Sequence, residues 1–308
     1  MNFEGRVAIV TGAGGGLGRL HALALARHGA KVVVNDLGSS IAGDTAGSVS
    51  RAEQVVEEIR SAGGEAIANG ASVTDFDAVT AMVDATMTTW GRVDILVNNA
   101  GVLRDKTFAK MTVEDFRFVV DVHLMGAVHC TKAVWQIMRD QQYGRIAMTS
   151  SATGLYGNFG QANYGAAKLA LVGLMQSLGL EGEKYNIRVN TLAPVAVTRM
   201  TEDLIFGIAG EALPPELISP GLLVLVSENA PQRTILTAGG GCFESANITM
   251  TQGIYAGDAG NADAVADVLA GRFAEVLDRT GERVPENAAV QSAHELSKVP
   301  GFDLASIS

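Results

Sequence analysis

A serine at 151, a tyrosine at 164 and a lysine at 168 stand in SSATGLYGNFGQANYGAAK (150–168), a stretch whose only charge is that lysine. Tyr164 and Lys168 are four residues apart, so a helix running on from Gln161 brings both side chains to one face, one turn apart. An ammonium is thereby set beside a phenol. Alone, a tyrosine titrates near pKa ~10, too high for a base at neutral pH. A neighbouring positive charge favours the phenolate by about 1–3 pKa units, which makes proton transfer the chemistry to expect.

A second signal lies upstream in TGAGGGLG (11–18), between a β-rich run and a helical pattern. There, backbone N–H groups and the positive end of a helix can meet the pyrophosphate of a dinucleotide. Gly12, Gly16 and Gly18, with Leu17 between them, follow a TGxxxGxG spacing. Glycine permits positive φ and close approach of a ligand to the backbone. Asp36 ends the next β-rich run, 18 positions after Gly18. A carboxylate there accepts from both adenine-ribose hydroxyls and repels a 2′-phosphate, so NAD rather than NADP is expected. Arg19 reads as a solvated helix residue rather than a phosphate clamp.

These residues need a scaffold to position them. Short β-rich runs alternate with helical periodicities: RVAIVT (6–11), a helix over 16–28, KVVVND (31–36), a helix over 51–61, EAIAN (65–69) and a helix over 75–90. VDILVNN (93–99), two helical stretches over 112–140, GRIAMTS (144–150), the helix after Gln161 and NIRVNTLAP (186–194) continue the rhythm. Such βαβ alternation implies an α/β fold, a Rossmann-like doubly wound parallel sheet, expected with seven strands in the order 3-2-1-4-5-6-7. Residues 38–50 form a small-residue loop. Residues 201–226, with GEALPPELISP, suit a mobile covering segment better than a core element. Beyond about 245, Val265, Val268, Leu269, Phe273 and Val276 mark one more amphipathic helix, whose apolar stripe needs a surface in this chain or a partner subunit. The expected organisation is a single dinucleotide-binding catalytic domain over 1–245 and a C-terminal helical extension over 246–308.

With 308 residues, 47% hydrophobic and 18% charged, the chain can bury a large core. A net charge of −10 argues against a nucleic-acid groove, which is built from clustered Lys and Arg. Cys130 and Cys242 make neither a disulfide framework nor a zinc spacing, which fits a reducing cytoplasm. Apart from His123, the other four histidines lack ligand spacing, and no metal is expected. The opening MNFEGRVAIVTGAGGG lacks the basic start and long apolar run of a signal peptide, and the closing ASIS is not a peroxisomal SKL address. Apolar runs such as LLVLV (222–226) fall far short of the roughly 20 residues that span a bilayer, so no membrane partner is expected.

Taken together, TGAGGGLG, NNAG (98–101), Ser151, YGAAK (164–168) and LAP (192–194) resemble the short-chain dehydrogenase/reductase family over about residues 5–240. Tyr164 follows Ser151 by 13 positions, the family's common spacing, which selects Ser151 over Ser150. Longer stretches, including NNAGVLRDKTFAKMT, VHLMGA and MTSSATGLYGNFGQANYGAAKL, are similar to its (3R)-hydroxyacyl-CoA dehydrogenase subgroup. That subgroup is the dehydrogenase part of peroxisomal multifunctional enzymes, also described as 17β-hydroxysteroid dehydrogenases. The fused hydratase and sterol-carrier parts have no room here, so a freestanding dehydrogenase is expected.

The resemblance implies NAD-dependent oxidation of a (3R)-hydroxyacyl-CoA to the 3-oxoacyl-CoA. Tyr164 would take the proton, Lys168 hold the nicotinamide-ribose hydroxyls and Ser151 orient the reacting oxygen. His123 stands where the family often has a relay asparagine, and two readings stand equal: a member of the relay, or a satisfied buried histidine. Ser72 and Val73 would flank the adenine, Asn99 the central crevice, and Val197 with Thr198 the nicotinamide amide, although LAPVAV lacks the usual glycine after its proline. Tyr156, Phe159 and Met200 either line a substrate pocket or serve packing. Arg104, Lys106 and Arg199 either meet CoA phosphates or are solvated. Competing readings are a hydroxysteroid dehydrogenase acting on free steroid and a non-catalytic NAD-sensing scaffold; an NADPH-linked acyl-carrier-protein reductase is opposed by Asp36. A homodimer or homotetramer is implied by the family's habit.

Overall fold

The computed structural model describes residues 1–40, 42–44, 48–197, 212–257, 260 and 262–303. Seven strands run parallel: β1 (Val7–Thr11), β2 (Lys31–Asn35), β3 (Ala66–Asn69), β4 (Ile95–Asn98), β5 (Gly144–Thr149), β6 (Ile187–Pro194) and β7 (Ile235–Gly239). Their order, 3-2-1-4-5-6-7, is the expected one. An eighth strand, β8 (Cys242–Ala246), extends the sheet beyond the seven expected and pairs antiparallel with β7. Gly239 pairs with Cys242, leaving Gly240 and Gly241 as a two-residue turn at φ +57° and +83°. Positive φ at both turn positions matches the twist of a tight hairpin, and only glycine adopts it without strain.

Alternation along the strands divides the core between two faces. Ala8 and Val10 of β1, Val32 and Val34 of β2, and Ile95 and Val97 of β4 pack with helices α1 (Gly16–Arg27) and α2 (Ser50–Ser61). Ile9, Val33, Leu96, Ile146 and Met148 face the other way, against α3 (Phe76–Trp90), α5 (Gly126–Gln141) and α7 (Ala162–Gly182). Strands covered on both sides need apolar residues at successive positions, which is why these runs are apolar on both faces and rich in Val and Ile.

The segment read as a cover over 201–226 is in part core. Residues 201–211 lie outside those described, but helix α8 (Ser219–Leu225) buries Leu222 and Leu225 in the same cluster as α1. Pro220 stands in its first turn, where no N–H is needed.

Helix α4 (Val113–Val120) runs into α5 through a π-helical turn, Asp121–Met125. That inserted residue widens the helix at His123. A short α6 (Ala152–Tyr156), absent from the sequence reading, joins β5 to α7; Ser151 caps it by accepting from the Thr153 N–H at 3.1 Å.

The chain separates into two compact units, Met1–Ala246 and Asn247–Ser308. The second holds α9 (Ala262–Gly271), α10 (Phe273–Val276) and α11 (Ala288–Leu296) and an antiparallel bridge between Met250 and Arg283. The single helix expected over 265–276 is interrupted after Gly271, a residue that disfavours helix continuation. Among the described residues no helix is long and apolar enough to cross a membrane.

Candidate active site

A cleft of about 480 Å³ opens at the carboxyl ends of the parallel strands. It lies where the strand order reverses between β1 and β4, the place such sheets bind ligands. Gly12, Gly16, Leu17, Gly18, Asp36, Ser72 and Val73 line one end, and Asn99 the middle. His123, Ser151, Tyr164 and Lys168 line the other. Val197 is not on the wall; its N–H donates to the Leu213 carbonyl at 3.1 Å. Thr198 lies outside the described residues.

The glycine turn is set by steric necessity. Gly12 (φ +63°) and Gly16 (φ +50°) occupy the left-handed region. A Cβ on Gly18 would stand 2.2 Å from the Gly12 carbonyl oxygen, and one on Gly12 would stand 2.8 Å from Ala100 Cα. Gly15 precedes α1 without any side-chain cap, so the first-turn N–H groups are free of side-chain acceptors and the helix dipole faces the cleft. That arrangement fits a pyrophosphate. Asp36 is oriented beside it, accepting from the Gly14 N–H at 2.7 Å and the Gly38 N–H at 2.6 Å. Arg19 pairs with Glu58 across α1 and α2, in line with a structural role.

Thr11, unnoticed in the sequence, ties the ends of β1 and β4 together. Its hydroxyl accepts from the Asn99 and Ala100 N–H groups at 3.0 and 3.1 Å and donates to the Val97 carbonyl at 3.3 Å. Asn99 in turn donates to the Thr11 carbonyl at 2.9 Å, closing the floor under the glycine turn.

At the other end the two serines separate by role. Ser150 is buried and donates to the Lys168 carbonyl at 2.8 Å, whereas Ser151 is half-buried on the cleft wall. Lys168 Nζ donates to the Thr149 carbonyl at 2.6 Å and lies 5.4 Å from the centroid of the Tyr164 ring. Burial pushes the Tyr164 phenol up to about 12, against the pull of a hydrogen bond with Ser151, and pushes the Lys168 ammonium down to about 7. In the free protein, without the positive nicotinamide on which the expectation also rests, burial governs the phenol. Desolvation disfavours the charged form of both groups, and one lysine does not offset it.

His123 is buried on the π turn, its ring edge to face with Tyr164 at 5.2 Å between centroids. Nε2 lies 2.8 Å from the Val102 carbonyl and 3.1 Å from the Val102 N–H. Burial, with Lys168 close by, holds its pKa well below the ordinary value, so the ring is neutral. A Cβ on Gly101 would meet His123 Cε1 at 2.2 Å, which explains the glycine of NNAG.

Other expected residues lie elsewhere. Tyr156 and Phe159 are 73% and 87% exposed and are not on the cleft wall; Met200 and Arg199 lie outside the described residues. Lys106 and Arg104 both pair with Asp115, at 2.8 and 3.2 Å, and Arg104 also stacks on Phe118. Wall residues the sequence reading passed over include Arg51 and Phe118. Gln161 is another, its carboxamide bonded to Asp105, Thr153 and Asn158.

A model of the short chain dehydrogenase family matches residues 6–205. The chain is 46% identical over 285 residues to a short-chain type dehydrogenase/reductase of Mycobacterium tuberculosis, covering 91% of this chain and 97% of that one. It is 50% identical over 244 residues to peroxisomal multifunctional enzyme type 2 of Mus musculus, covering 79% of this chain and 32% of that protein. A solved 7α-hydroxysteroid dehydrogenase, complexed with NADH and 7-oxo glycochenodeoxycholic acid, superposes with a TM-score of 0.70 at 30% identity, covering 78% of this chain and 95% of that one.

Proposed function

The chain belongs to the short-chain dehydrogenase family, and we propose that this oxidoreductase uses NAD to oxidise a (3R)-hydroxyacyl-CoA to the 3-oxoacyl-CoA. One observation carries the reading: a tyrosine, a serine and a lysine face the same cleft as an uncapped helix start and an acidic residue at the end of β2. The first set suits an alcohol, the second a dinucleotide without a 2′-phosphate. The acyl-CoA substrate rests on the resemblance of the stretches around NNAG and Tyr164 to the (3R)-hydroxyacyl-CoA dehydrogenase subgroup, and 50% identity to the mouse multifunctional enzyme is in line with it.

Gly12, Gly16, Leu17 and Gly18 would hold the pyrophosphate, Asp36 the adenine ribose, Ser72 and Val73 the adenine side, and Lys168 the second ribose. Bound NAD supplies the hydride acceptor and a positive ring. Ser151 donates to the substrate oxygen and holds it beside Tyr164. Tyr164 accepts the hydroxyl proton as the carbon gives up hydride; in the reverse direction it returns that proton to the ketone oxygen. The ammonium of Lys168 and the positive charge of the docked ring together oppose the desolvation that keeps the free protein's phenol protonated. His123 packs against the Tyr164 ring and braces it. We place this activity in the cytoplasm, in a homodimer or homotetramer, which sedimentation of the purified protein would resolve.

The test is a substrate screen following NADH absorbance, with NAD and NADP each offered against (3R)- and (3S)-hydroxyacyl-CoA thioesters and free hydroxysteroids. The (3R)-thioesters with NAD should turn over fastest. Turnover of free steroids alone would move the reading to a hydroxysteroid dehydrogenase, and NAD binding without any turnover to a sensing scaffold.

A further inference from the structure

The loop that follows β2 does not stay on its own side of the sheet. β1 lies between β2 and β4, so a segment leaving β2 reaches residues beyond β4 only by passing over the carboxyl end of β1, where the glycine turn stands. Such contacts are made. Arg104, beyond β4, donates from Nε to the Ala42 carbonyl at 3.2 Å. Gly43 is packed against α4, where a Cβ on it would stand 2.8 Å from Phe118 Cζ and 3.2 Å from Val102 Cγ1. Ser39, Ser40 and Gly43 line the cleft from the β2 side, and Val102 and Phe118 line it from the β4 side.

We propose that this loop is a strap across the dinucleotide cleft with Arg104 as its latch, which makes Arg104 a positioning residue for the cofactor. The proposal rests on the cleft taking a dinucleotide. The strap is built as a unit. At its base Gly38 (φ +76°) presses on Ser48, where a Cβ would stand 1.9 Å from the Ser48 carbonyl oxygen, so the two ends of the loop adjoin. At its tip the Gly43 N–H donates to the Ser40 carbonyl at 3.0 Å. Compact loops with adjoining ends are frequently functional, and a lid moves about a few hinge residues, for which a glycine at positive φ is suited. The latch is held ready from behind: Arg104 Nη1 pairs with Asp115 at 3.2 Å, and the guanidinium lies 4.0 Å from the centroid of the Phe118 ring. A planar fork can pair, stack and donate at once, which an ammonium cannot.

A dinucleotide carries a ring system at each end, so it enters and leaves by the strap lifting rather than by threading beneath it. The latch contacts lie wholly within the protein. They oppose entry and release alike, so loosening them should speed both steps and leave affinity nearly unchanged. A residue that only holds the bound ligand would change release alone.

Stopped-flow fluorescence of NADH association and dissociation tests this in the wild type, Arg104→Leu and Gly43→Ala. In Arg104→Leu, Asp115 keeps Lys106 at 2.8 Å, so no carboxylate is stranded. Losing one charge-assisted hydrogen bond should raise both rate constants about tenfold, with Kd for NADH within about threefold. Gly43→Ala, strained at φ +72° and crowded against Phe118, loosens the strap without removing a charge and should raise both rates as well. A rise in dissociation alone overturns the proposal, and so do unmoved rates in either folded variant. If Arg104→Leu does not fold, Gly43→Ala decides. A wild type that fails to bind NADH overturns the dinucleotide reading and the strap with it, whereas tight binding with unmoved rates overturns the strap alone.

Discussion

Lys168 Nζ stands 5.4 Å from the centroid of the Tyr164 ring while bonded to the Thr149 carbonyl at the end of β5. The ammonium is therefore anchored to the sheet, and the phenol is carried on the same helix one turn earlier. In the free protein both titrate away from their working charges, Tyr164 up to about 12 and Lys168 down to about 7. On the proposed reading, the positive charge of a docked dinucleotide is what turns Tyr164 into a base.

Tyr164→Phe tests that role directly. The ring keeps its edge contact with His123 and its place on α7, and only the hydroxyl is lost. We expect kcat to fall by about 10²–10⁴-fold, the usual contribution of a positioned acid–base group. Dinucleotide affinity should change by less than about threefold, and the melting temperature should not fall. Steady-state rates beside a dinucleotide titration check this, and wild-type turnover in the variant would refute the assignment.

On the proposed reading, Asp36 sets cofactor choice through charge. Its carboxylate is held by the Gly14 and Gly38 N–H groups, so it cannot swing away from a 2′-phosphate. Asp36→Ser should raise KM for NAD by about tenfold, the loss of one charge-assisted hydrogen bond. It should also raise the NADP-to-NAD ratio of kcat/KM by about 10²-fold as repulsion is lifted. Comparing the two cofactors on one alcohol measures both effects, and an unchanged ratio would remove Asp36 from the ribose.

How much of this was legible beforehand follows the reach of each interaction. The β-branched runs, the glycine turn, Asp36 and the Ser151, Tyr164, Lys168 set are written in residue type and short spacing, and they converge on one cleft. β8 was missed because CFESA is almost wholly exposed and carries no core-facing alternation; only the adjacent glycine pair marks its hairpin. α8 was misjudged because its prolines suggested an exposed cover, whereas Leu222 and Leu225 reach the core. The burial that raises the free protein's Tyr164 phenol had no short-range signal either. Desolvation depends on what packs around the phenol, and those elements are distant in the chain. Thr11 and Asn99, 88 residues apart, meet only once β1 and β4 are paired neighbours.

Gly18 is a steric requirement, and a single methyl group tests it. A Cβ there would stand 2.2 Å from the Gly12 carbonyl and 2.5 Å from Asn99 Nδ2, contacts with backbone and a fixed amide that cannot retreat. Gly18→Ala should cost about 1–3 kcal/mol of stability, the range for overpacking, and weaken dinucleotide binding by more than about tenfold because the turn must open. Denaturant melts and a binding titration check this; an alanine variant with unchanged affinity would show that the turn can shift without loss.

The last prediction concerns acid stability. His21 on α1 bonds Ser219 at the start of α8, 2.9 Å from Nδ1 to Oγ, and its Nε2 is buried without a partner. Burial pushes its pKa down to about 3, whereas the unfolded imidazole titrates near ~6.5. Between those values the unfolded chain binds the extra proton, so stability is full above about pH 6.5 and falls as the pH drops, by up to ~1.4 kcal/mol per unit. From pH 7 to pH 5 this group removes roughly 2 kcal/mol, and His123, lowered in the same direction, adds to the loss. His21→Gln keeps a polar side chain near Ser219 but cannot titrate, so the variant should lose roughly 2 kcal/mol less than the wild type over that interval. Urea melts of both proteins at pH 7 and pH 5 measure the difference. Equal losses in the two would mean that the imidazole charges inside the fold, and that the contact between α1 and α8 opens to water before the rest of the sheet does.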